Sequence, residues 1–504
     1  MHKMMPASRR LRMVQQAKGQ FWTPDWVARA MVAYVLADRG GLLFDPAVGT
    51  GAFFRAAKAI AAEKGRSVRF AGMENDPTAL VQALHDGLTA EDLASVQIAD
   101  FVLQPPHTQF HAIVANPPYI RHHRLAPEKK AFLKRLSARI IGTPLDGRAG
   151  LHVYFFLLCL ALLEENGRLA FLSPADACEG VFAFDVWSWV TRHFALDAVI
   201  TFSPEASPFP DVDTNPLIVL LRKAPPQNRF LWAKCRRPDS DSLERWIRSG
   251  WSDVDADGMT VIARDVHEGL ATGLSREPGE RCDTGYVLGD IIKVMRGIET
   301  GANDFFFITA ERARMLAIPD AYLVRAVGRT RDAPGDEITD ATLAMLERKK
   351  RPTWIVSIKN EPLESLPESV AAYVREGERL GIPARPTVAR RTPWYTMERR
   401  EPPPFLFTYL GRRTMRFIRN TARVVPLTGF LCVYPRIDGE MDIDTLWAIL
   451  RHPDLLMHIS RVGKSYGRGA IKVEPGALER LPVPRHVLAP FELPVRLRLF
   501  ASWD

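Results

Sequence analysis

Short apolar runs alternate with amphipathic stretches over the first part of the chain, from Phe21 to about Lys223. Runs of this kind, bounded by Gly, Asp or Pro, are typical of buried strands, and the stretches between them have the spacing of helices that pack on a sheet. The pattern predicts an α/β fold with helices on both faces of a parallel sheet. The predicted strands are residues 42–44, 69–72, 112–115 and 168–172, and the predicted helices are residues 27–36, 52–64, 77–84 and 151–164.

The most apolar run of the chain covers residues 151–163. It contains His152, is followed by Glu164 and Glu165, and is shorter than the roughly 20 residues that a membrane-spanning helix needs. We therefore expect a helix buried in the protein core. Two later apolar runs, residues 198–202 and 216–221, are expected to form a hairpin at the edge of the sheet.

The regular alternation ends after Pro225 and Pro226. The remaining sequence mixes short apolar pieces, proline clusters and arginine-rich stretches, and a chain of 504 residues exceeds what one hydrophobic core usually organises. We predict two domains. Residues 1–240 hold the parallel sheet, and residues 241–504 form a second domain of mixed α+β structure.

The formal net charge of +9 favours an anionic partner, although many basic proteins bind none. The five cysteines include no CxxC pair, which argues against a zinc ribbon and against a disulfide framework. We expect reduced thiols in a cytoplasmic protein, and no bound metal ion.

A glycine turn follows the first predicted strand and opens the next helix. The strand ends in Asp45, and the turn contains Ala47, Gly49 and Gly51. Glycine lets a ligand approach the backbone closely, because it has no side chain and tolerates unusual dihedral angles. A tight turn between strand and helix, without any ligand, is the alternative interpretation.

Two further strand ends carry acids. Glu74 lies about twenty residues after the glycines, where a carboxylate accepts hydrogen bonds from both hydroxyls of a ribose. Asp100 and Phe101 follow the next strand and are suited to an adenine amino group and ring. Because the turn has no phosphate-binding lysine, a neutral or cationic adenosine ligand fits better than a pyrophosphate.

The fourth predicted strand ends in Asn116, Pro117, Pro118 and Tyr119, which is the most specific signal in the chain. Two prolines fix φ and remove two backbone donors, so their carbonyls and the Asn116 side chain are acceptors for a planar NH2 group. Fixed acceptors favour the nucleophilic form of such an amine. Tyr119 provides a flat face for a base taken out of the nucleic-acid stack. A proline turn with a core tyrosine is the alternative.

These motifs, in this order, resemble the gamma-class DNA N6-adenine methyltransferases of restriction–modification systems. Residues 20–24 are similar to the family's amino-terminal motif, and residues 45–51 to its cofactor loop. The resemblance implies a Rossmann-like methyltransferase sheet with S-adenosylmethionine as the cofactor. It also implies that Thr23 contacts the methionine part, Glu74 the ribose, and Asp100 with Phe101 the adenine. Residues 116–119 correspond to the catalytic motif.

The family sandwiches the everted adenine with a later aromatic residue, and Phe209 lies at the matching position before the run at residues 217–221. A packing phenylalanine is the alternative, and Phe182 and Phe184 are competitors. In the second half, residues 288–290 and 296–303 resemble the opening of the family's target-recognition domain, and residues 446–481 resemble its close.

Two basic segments are candidates for DNA contacts. Residues 121–139 hold seven basic side chains against one acid, directly after the catalytic motif, and residues 390–423 hold nine arginines and no lysine. Arginine suits bidentate contacts to phosphates and guanine edges. A solvated basic face is the alternative for either segment. The candidate DNA-binding residues are Arg121, Arg124, Arg296, Arg412, Arg413 and Arg416.

The sequence thus predicts a site-specific DNA adenine methyltransferase that acts on double-stranded DNA and protects it from a separate restriction endonuclease. Two other functions stay open. The same motif suits N-methylation of RNA or of a protein glutamine, but such enzymes generally lack a motif before the glycine turn and a large carboxy-terminal domain. A non-catalytic DNA-binding subunit is the other, and the intact motif at residues 116–119 speaks against it.

Overall fold

The computed structural model describes residues 21–37, 41–180, 182–210, 212, 214–238, 241–278, 286–411, 415–436, 442–459, 463–466 and 470–491. The chain divides into two compact units, one formed by residues 1–279 with 465–469 and the other by residues 280–464 and 470–504. None of the described helices has both the length and the apolar character that spanning a bilayer requires.

The first unit contains one sheet of nine strands in the order β3-β2-β1-β4-β5-β7-β6-β8-β9. Neighbours from β3 to β5 are parallel, whereas β7 runs antiparallel to both β5 and β6. The strands are β1 (Gly41–Asp45), β2 (Val68–Glu74), β3 (Val96–Ile98), β4 (Phe110–Ala115), β5 (Leu163–Pro174), β6 (Ala195–Phe202), β7 (Pro216–Arg222), β8 (Arg229–Cys235) and β9 (Met259–Asp265).

Helices cover both faces of this sheet, as the apolar pattern predicts. Along β1, Leu43 and Phe44 belong to different buried clusters, because successive side chains of a strand point to opposite faces. The helices are α1 (Asp25–Leu36), α2 (Ala52–Glu63), α3 (Pro77–His85), α4 (Pro127–Ile141), α5 (Leu151–Ala161), α6 (Asp176–Glu179), α7 (Ala183–His193), α8 (Ser242–Arg248) and α9 (Val266–Thr272). The apolar run at residues 151–160 is buried throughout, which confirms the predicted core helix.

The sheet continues beyond the point at which the predicted alternation ends. β6 and β7 pair antiparallel, which confirms the predicted pairing, but β8 and β9 add two strands on the far side of β6, so the predicted position at the edge of the sheet is wrong. Most side chains of β9 are half-buried or exposed, and both strands follow the proline pair at which the regular alternation ends, so the apolar pattern does not mark them. The first unit therefore runs to residue 279, whereas the boundary predicted from the sequence lies at residue 240.

The second unit contains a five-stranded sheet, β10-β19-β15-β17-β13, and a four-stranded sheet, β11-β14-β12-β18. Its strands are β10 (Ile292–Arg296), β11 (Phe307–Ile308), β12 (Leu323–Val327), β13 (Glu337–Ile338), β14 (Trp354–Val356), β15 (Phe405–Phe407), β16 (Leu410–Gly411), β17 (Phe417–Asn420), β18 (Val425–Pro426), β19 (Leu431–Pro435) and β21 (Ala470–Lys472). β20 (Lys464–Tyr466) falls on the division, because residue 464 belongs to the second unit and residues 465–466 to the first. The helices of the second unit are α10 (Asn303–Phe306), α11 (Ala310–Met315), α12 (Asp340–Arg348), α13 (Glu368–Arg379), α14 (Ile443–Leu450), α15 (Pro453–Met457), α16 (Pro475–Glu479) and α17 (Arg485–Leu488). The mixture agrees with the predicted α+β class.

Candidate active site

A cavity of about 450 Å³ lies where β1, β2 and β4 end, and it brings most of the predicted motifs together. Parallel strands end at the same edge of a sheet, so the segments that follow them converge there. The predicted residues that line it are Thr23, Ala47, Gly49, Glu74, Asp100, Phe101, Asn116, Pro117 and Pro118. Asp45, Gly51, Tyr119 and Phe209 are not among its lining residues.

Gly49 shapes the cavity wall in the way that the glycine turn predicts. Its φ is +55°, a conformation that favours glycine, and a β-carbon at this position would lie 3.0 Å from the ring of Trp22. The Gly49 amide donates to Glu74 Oε2 at 2.8 Å. The turn is therefore fixed by the strand-end carboxylate beside it, and the ring of Trp22 packs over it.

Gly51, predicted to contact the cofactor, does not line the cavity and packs behind the turn. Its φ is +77°, and a β-carbon there would lie 2.3 Å from Cδ1 of Leu88, behind the turn. Gly51 also lies at the amino-terminal cap of α2. The glycine is therefore required so that the turn packs against Leu88, while the cavity wall is formed by its neighbours.

Asp45 is fully buried at the end of β1. Its Oδ1 accepts from the Ala47 amide at 2.9 Å, and its Oδ2 is buried without a hydrogen-bond partner in the described part of the chain. Burial raises the pKa of Asp45 to about 8, the Ala47 hydrogen bond opposes this shift, and nearby Glu74 adds to it. Asp45 therefore stabilises the conformation of the glycine turn through the hydrogen bond that it accepts from the Ala47 amide.

Glu74 lines the cavity and is also buried. Its Oε1 accepts from the Asp76 amide at 2.8 Å, and its Oε2 accepts from Gly49. Burial raises its pKa, and these backbone hydrogen bonds oppose the shift. A carboxylate oxygen has two lone pairs, so each oxygen has capacity for a further donor such as a ribose hydroxyl.

Asp100 forms an ion pair with Lys129, which belongs to the basic segment 121–139 that was singled out for DNA contacts. Its Oδ1 accepts from the Val102 amide at 3.0 Å, and its Oδ2 pairs with Lys129 Nζ at 2.8 Å. Lys129, on α4, also lines the cavity. The sequence of the glycine turn contains no lysine, but the cavity beside it does, and this lysine is paired with Asp100. Phe101 is buried, with ring centroids 5.1 Å from Phe155.

Asn116 is oriented towards the amino-terminal segment by both of its amide protons. Nδ2 donates to the Phe21 carbonyl at 2.8 Å and to Thr23 Oγ1 at 3.0 Å. Its Oδ1 is buried and has no hydrogen-bond partner among the residues that the structure describes. The Pro118 carbonyl already accepts from the Ile120 amide at 3.0 Å, whereas the Pro117 carbonyl accepts from no backbone amide of the described residues and keeps both lone pairs for a second acceptor role.

Tyr119 packs in an aromatic cluster with Phe21 and Phe209. The ring centroid of Tyr119 lies 5.4 Å from that of Phe21 and 6.2 Å from that of Phe209. Its hydroxyl is buried without a partner in the described structure, and burial, followed by the charge of Asp176, raises its pKa well above the ordinary value. Phe209 is therefore beside Tyr119, as predicted, but buried. Of the competitors, Phe182 is buried and Phe184 is 62% exposed.

Two residues near this cluster were missed by sequence reasoning. His152, at the start of α5, is buried with its ring edge-on to Tyr119 at 6.3 Å, and its Nε2 lies 3.2 Å from Asp176 Oδ1. Asp176 follows β5, whose carboxyl end lies beside that of β4. A strand-end acid was the available signal for Asp176, whereas His152 lies in an apolar run that gave none.

The predicted DNA-binding residues fall into three groups. Arg121 and Arg124 are exposed just after the catalytic motif, in front of α4, whose Lys134, Arg135 and Arg139 are exposed as well. Arg296 pairs with Glu474, and its side chain is 65% exposed. Arg416 donates to the Ala333 carbonyl at 2.6 Å, with a side chain only 24% exposed. Arg412 and Arg413 lie outside the described residues.

Several arginines of the segment 390–423 hold the second unit together. Arg399 donates to the carbonyls of Ala321 and Ser357, both at 3.1 Å, and Arg419 pairs with Asp444 at 2.6 Å. Arg391 donates to the Glu299 carbonyl at 2.6 Å. Their guanidinium groups are thus engaged within the protein, and charge in the sequence overstates the basic surface of this segment.

Two family models match the chain. Residues 11–205 match the model described as N-6 DNA Methylase, and residues 280–493 match the C-terminal domain of the Type II methyltransferase M.Eco57I. The Type II methyltransferase M.AccI of Acinetobacter calcoaceticus is 24% identical over 92% of this chain and 84% of its own length. M.XamI of Xanthomonas campestris pv. amaranthicola is 24% identical over 92% of this chain and 85% of its own.

Solved structures share the fold over nearly the whole chain. The Type IIL restriction–modification enzyme MmeI in complex with DNA gives a TM-score of 0.56 at 13% identity, covering 95% of this chain and 67% of that one. The DrdV–DNA complex gives a TM-score of 0.50 at 13% identity, covering 94% of this chain and 56% of that one. Both of these proteins are longer than this chain, and the likeness is one of fold.

Proposed function

Because the chain belongs to the N6 DNA methyltransferases of restriction–modification systems, we propose that it transfers a methyl group from S-adenosylmethionine to N6 of an adenine everted from a specific sequence in double-stranded DNA. One observation carries this proposal. Asn116, whose Oδ1 is buried and has no hydrogen-bond partner among the described residues, lines the same cavity as the Gly49 turn. An acceptor for an amine and a site for an adenosine cofactor thus share one space.

The residues of the cavity fit S-adenosylmethionine. Glu74 has capacity for ribose hydroxyls, Asp100 for an adenine amino group, and the ring of Trp22 packs over the turn. Among the described residues of the lining, Lys129 is the only cationic one and is paired with Asp100, so the cavity would suit a positively charged sulfonium. When bound there, the cofactor supplies an electrophilic methyl group.

Asn116 and Pro117 accept the two protons of the target amine. Hydrogen bonds to fixed acceptors favour the nucleophilic form of the nitrogen, and removing one such fixed partner typically lowers a rate about 10²–10³-fold. The acceptors are in place before the base arrives, so little reorganisation is needed. The amine loses one proton on methylation, and this proton leaves to solvent.

Tyr119 supplies the aromatic face for the everted adenine. Its ring now contacts Phe21 and Phe209, so a base enters this position only when one of those rings separates from it. Stacking on an aromatic residue contributes about 1–3 kcal/mol per base, which offsets the loss of stacking in the duplex. Phe209 then covers the second face of the base.

The exposed basic side chains around α4 are suited to the phosphates that flank the everted base. Arg121, Arg124 and Arg135 lie just after the motif that holds the base and are exposed. Such contacts position DNA without reading its sequence. We assign sequence recognition to the second unit, in which Arg296 is the most exposed of the predicted arginines for which the structure gives a side-chain exposure. The biological role that we propose for this methylation is protection of cytoplasmic DNA from cleavage by a separate endonuclease.

Methyl transfer from tritiated S-adenosylmethionine tests this function. The purified protein is incubated in parallel with double-stranded DNA, structured RNA and a glutamine-containing peptide, and the labelled product is digested and separated by chromatography. We expect label in N6-methyladenine from DNA alone. Label in RNA guanine or in glutamine would replace the proposal by the first alternative, and DNA binding without transfer to any substrate would replace it by the second.

A further inference from the structure

The orientation of the Asn116 amide is a feature that the motif itself does not determine. The terminal torsion of asparagine is broad and roughly two-fold, so a side chain at a rigid turn still has two ways to point its NH2 and its oxygen. The proline pair fixes the backbone of residues 117 and 118 and leaves this choice open. Something outside the motif has to select one orientation.

The segment that contains Phe21 and Thr23 makes this selection. The Phe21 carbonyl is an acceptor only, so the group that faces it at 2.8 Å has to be the amide nitrogen. The second amide proton goes to Thr23 Oγ1 at 3.0 Å. A flipped amide would lose both hydrogen bonds and place its oxygen against the Phe21 carbonyl. These two bonds therefore direct Oδ1 away from the segment.

Thr23 and Phe21 both line the cavity, but Thr23 contacts Asn116 through a side-chain hydroxyl, whereas Phe21 does so through its backbone carbonyl. A threonine hydroxyl has one proton and two lone pairs. One lone pair accepts from Asn116, so the proton stays available for a group bound in the cavity. Thr23 thus lies between the ligand and the side chain that holds the amine.

We infer that Thr23 is a positioning residue for catalysis, which fixes the acceptor oxygen of Asn116 in addition to any contact that it makes with the cofactor. This inference rests on the proposed function. The hydroxyl keeps the Asn116 amide in the orientation that presents Oδ1 to the target amine. Without it, only the hydrogen bond to the Phe21 carbonyl holds the amide, and the flipped state, in which an NH2 group meets the NH2 of the base, becomes more populated.

A double-mutant cycle separates this role from cofactor binding. Thr23→Val removes the hydroxyl at nearly constant shape, Thr23→Ser retains it, and Asn116→Ala leaves no amide to orient. We expect Thr23→Val to lower kcat about 5–10-fold in the protein that keeps Asn116, because losing one neutral hydrogen bond has an effect of this size. Thr23→Ser restores most of the rate. In the Asn116→Ala background, in which Thr23 has no amide to orient, Thr23→Val has little further effect on kcat, so the two changes couple.

Equal effects of Thr23→Val in both backgrounds would overturn the inference, because a contact to the cofactor or to the fold is lost whatever stands at position 116. Calorimetric titration with S-adenosylhomocysteine measures the cofactor contact separately. A crystal structure of Thr23→Val gives a readout that needs no activity. We expect a rotated or doubly occupied Asn116 amide in Thr23→Val and the native amide in Thr23→Ser, whereas a native amide in both variants would contradict the inference.

The cycle also distinguishes failure of this inference from failure of the proposed function. If the unmodified protein transfers methyl groups to DNA and the cycle is additive, only the positioning role of Thr23 is wrong. If the unmodified protein transfers no methyl group to DNA, the proposed function is wrong, and the amide orientation in the Thr23→Val crystal structure still reports on what Thr23 does to Asn116.

Discussion

The cavity at the carboxyl ends of β1, β2 and β4 and the arginine-rich segment 390–423 were both singled out by sequence, and the structure treats them differently. In the cavity, the strand-end groups converge, and one of them, Asn116 Oδ1, is buried without a partner in the described structure. In the segment, Arg391, Arg399 and Arg419 are engaged with groups of the protein itself. A motif at the end of a buried strand thus predicts where its side chains lie. A run of arginines in the sequence does not predict which of them face the solvent.

The largest expected effect concerns the cavity, where we expect the loss of the Asn116 side chain to lower the rate of methyl transfer. Asn116→Ala removes the acceptor that the Phe21 and Thr23 hydrogen bonds direct, and we expect methyl transfer to fall about 10²–10³-fold. Binding of S-adenosylhomocysteine, measured by calorimetry, should change little because the Gly49 turn and Glu74 are untouched. Asn228→Ala, the same substitution at an exposed position outside the cavity lining, is the matched control. Transfer at the unmodified rate in Asn116→Ala would remove Asn116 from the chemistry.

Asp45 gives the next largest effect, and it concerns pH. Its folded pKa of about 8 is above the ordinary value of 3.8, so between these values the unfolded chain releases a proton that the folded protein retains. The contribution of Asp45 to stability is therefore full below pH 4 and is lost as the pH rises towards 8, by on the order of 2–5 kcal/mol.

The measurement compares unmodified protein with Asp45→Asn in urea at pH 5 and at pH 8. We expect the unmodified protein to lose more stability between the two pH values than the variant, which has no proton to release at this position. Parallel losses in the two proteins would show that Asp45 titrates normally, and that the orphaned Oδ2 is hydrated or paired in solution.

Arg416 tests whether an arginine of the segment 390–423 stabilises the protein itself. Its guanidinium donates to the Ala333 carbonyl at 2.6 Å, so Arg416→Met should lower the free energy of unfolding by about 1–2 kcal/mol. Arg390, which is exposed in the same segment, is the matched control, and Arg390→Met should change stability by less than about 0.5 kcal/mol. Thermal unfolding measures both. If Arg416→Met is as stable as the control but binds DNA with a shallower salt dependence, the arginine contacts phosphate instead.

The smallest expected effect concerns Lys129. Its ammonium pairs with Asp100 Oδ2, the oxygen that is suited to an adenine amino group, and the two side chains are 27% and 28% exposed. The ion pair is worth at most about 1 kcal/mol at this exposure. We expect Lys129→Met to bind S-adenosylhomocysteine about 2–5-fold more tightly, because the competing cation is gone. Weaker binding would mean that Lys129 contacts the ligand itself.

Much of the first unit could be predicted from sequence because its signals are local. Strand ends, glycine turns and acids appear in order along the chain, and parallel pairing brings them to one edge. The features that the sequence did not predict are contacts between residues far apart along the chain and strands beyond the regular pattern. Lys129 reaches Asp100 across 29 residues, Gly51 packs against Leu88, and β8 with β9 extends the sheet after the regular pattern ends. No local pattern specifies such contacts.

The second unit could be predicted only as a class. Its strands are short, and its nine arginines between residues 390 and 423 gave no sign of which would contact carbonyls inside the protein. An arginine has five donors that suit a phosphate and a buried carbonyl equally. Which of the two an arginine contacts depends on the fold around it, and the sequence does not contain that information at the level of a motif.

Sequencing of modified bases in genomic DNA tests the central claim most directly. The gene and its Asn116→Ala variant are expressed separately in a bacterial host that lacks adenine methylation, and the DNA is read by a long-read method that detects N6-methyladenine. We predict methylation at one recurrent sequence in cells with the unmodified protein and none in cells with the variant. Unmethylated adenines in both, or the same methylated sites in both, would contradict the assignment of this cavity as the site of methyl transfer.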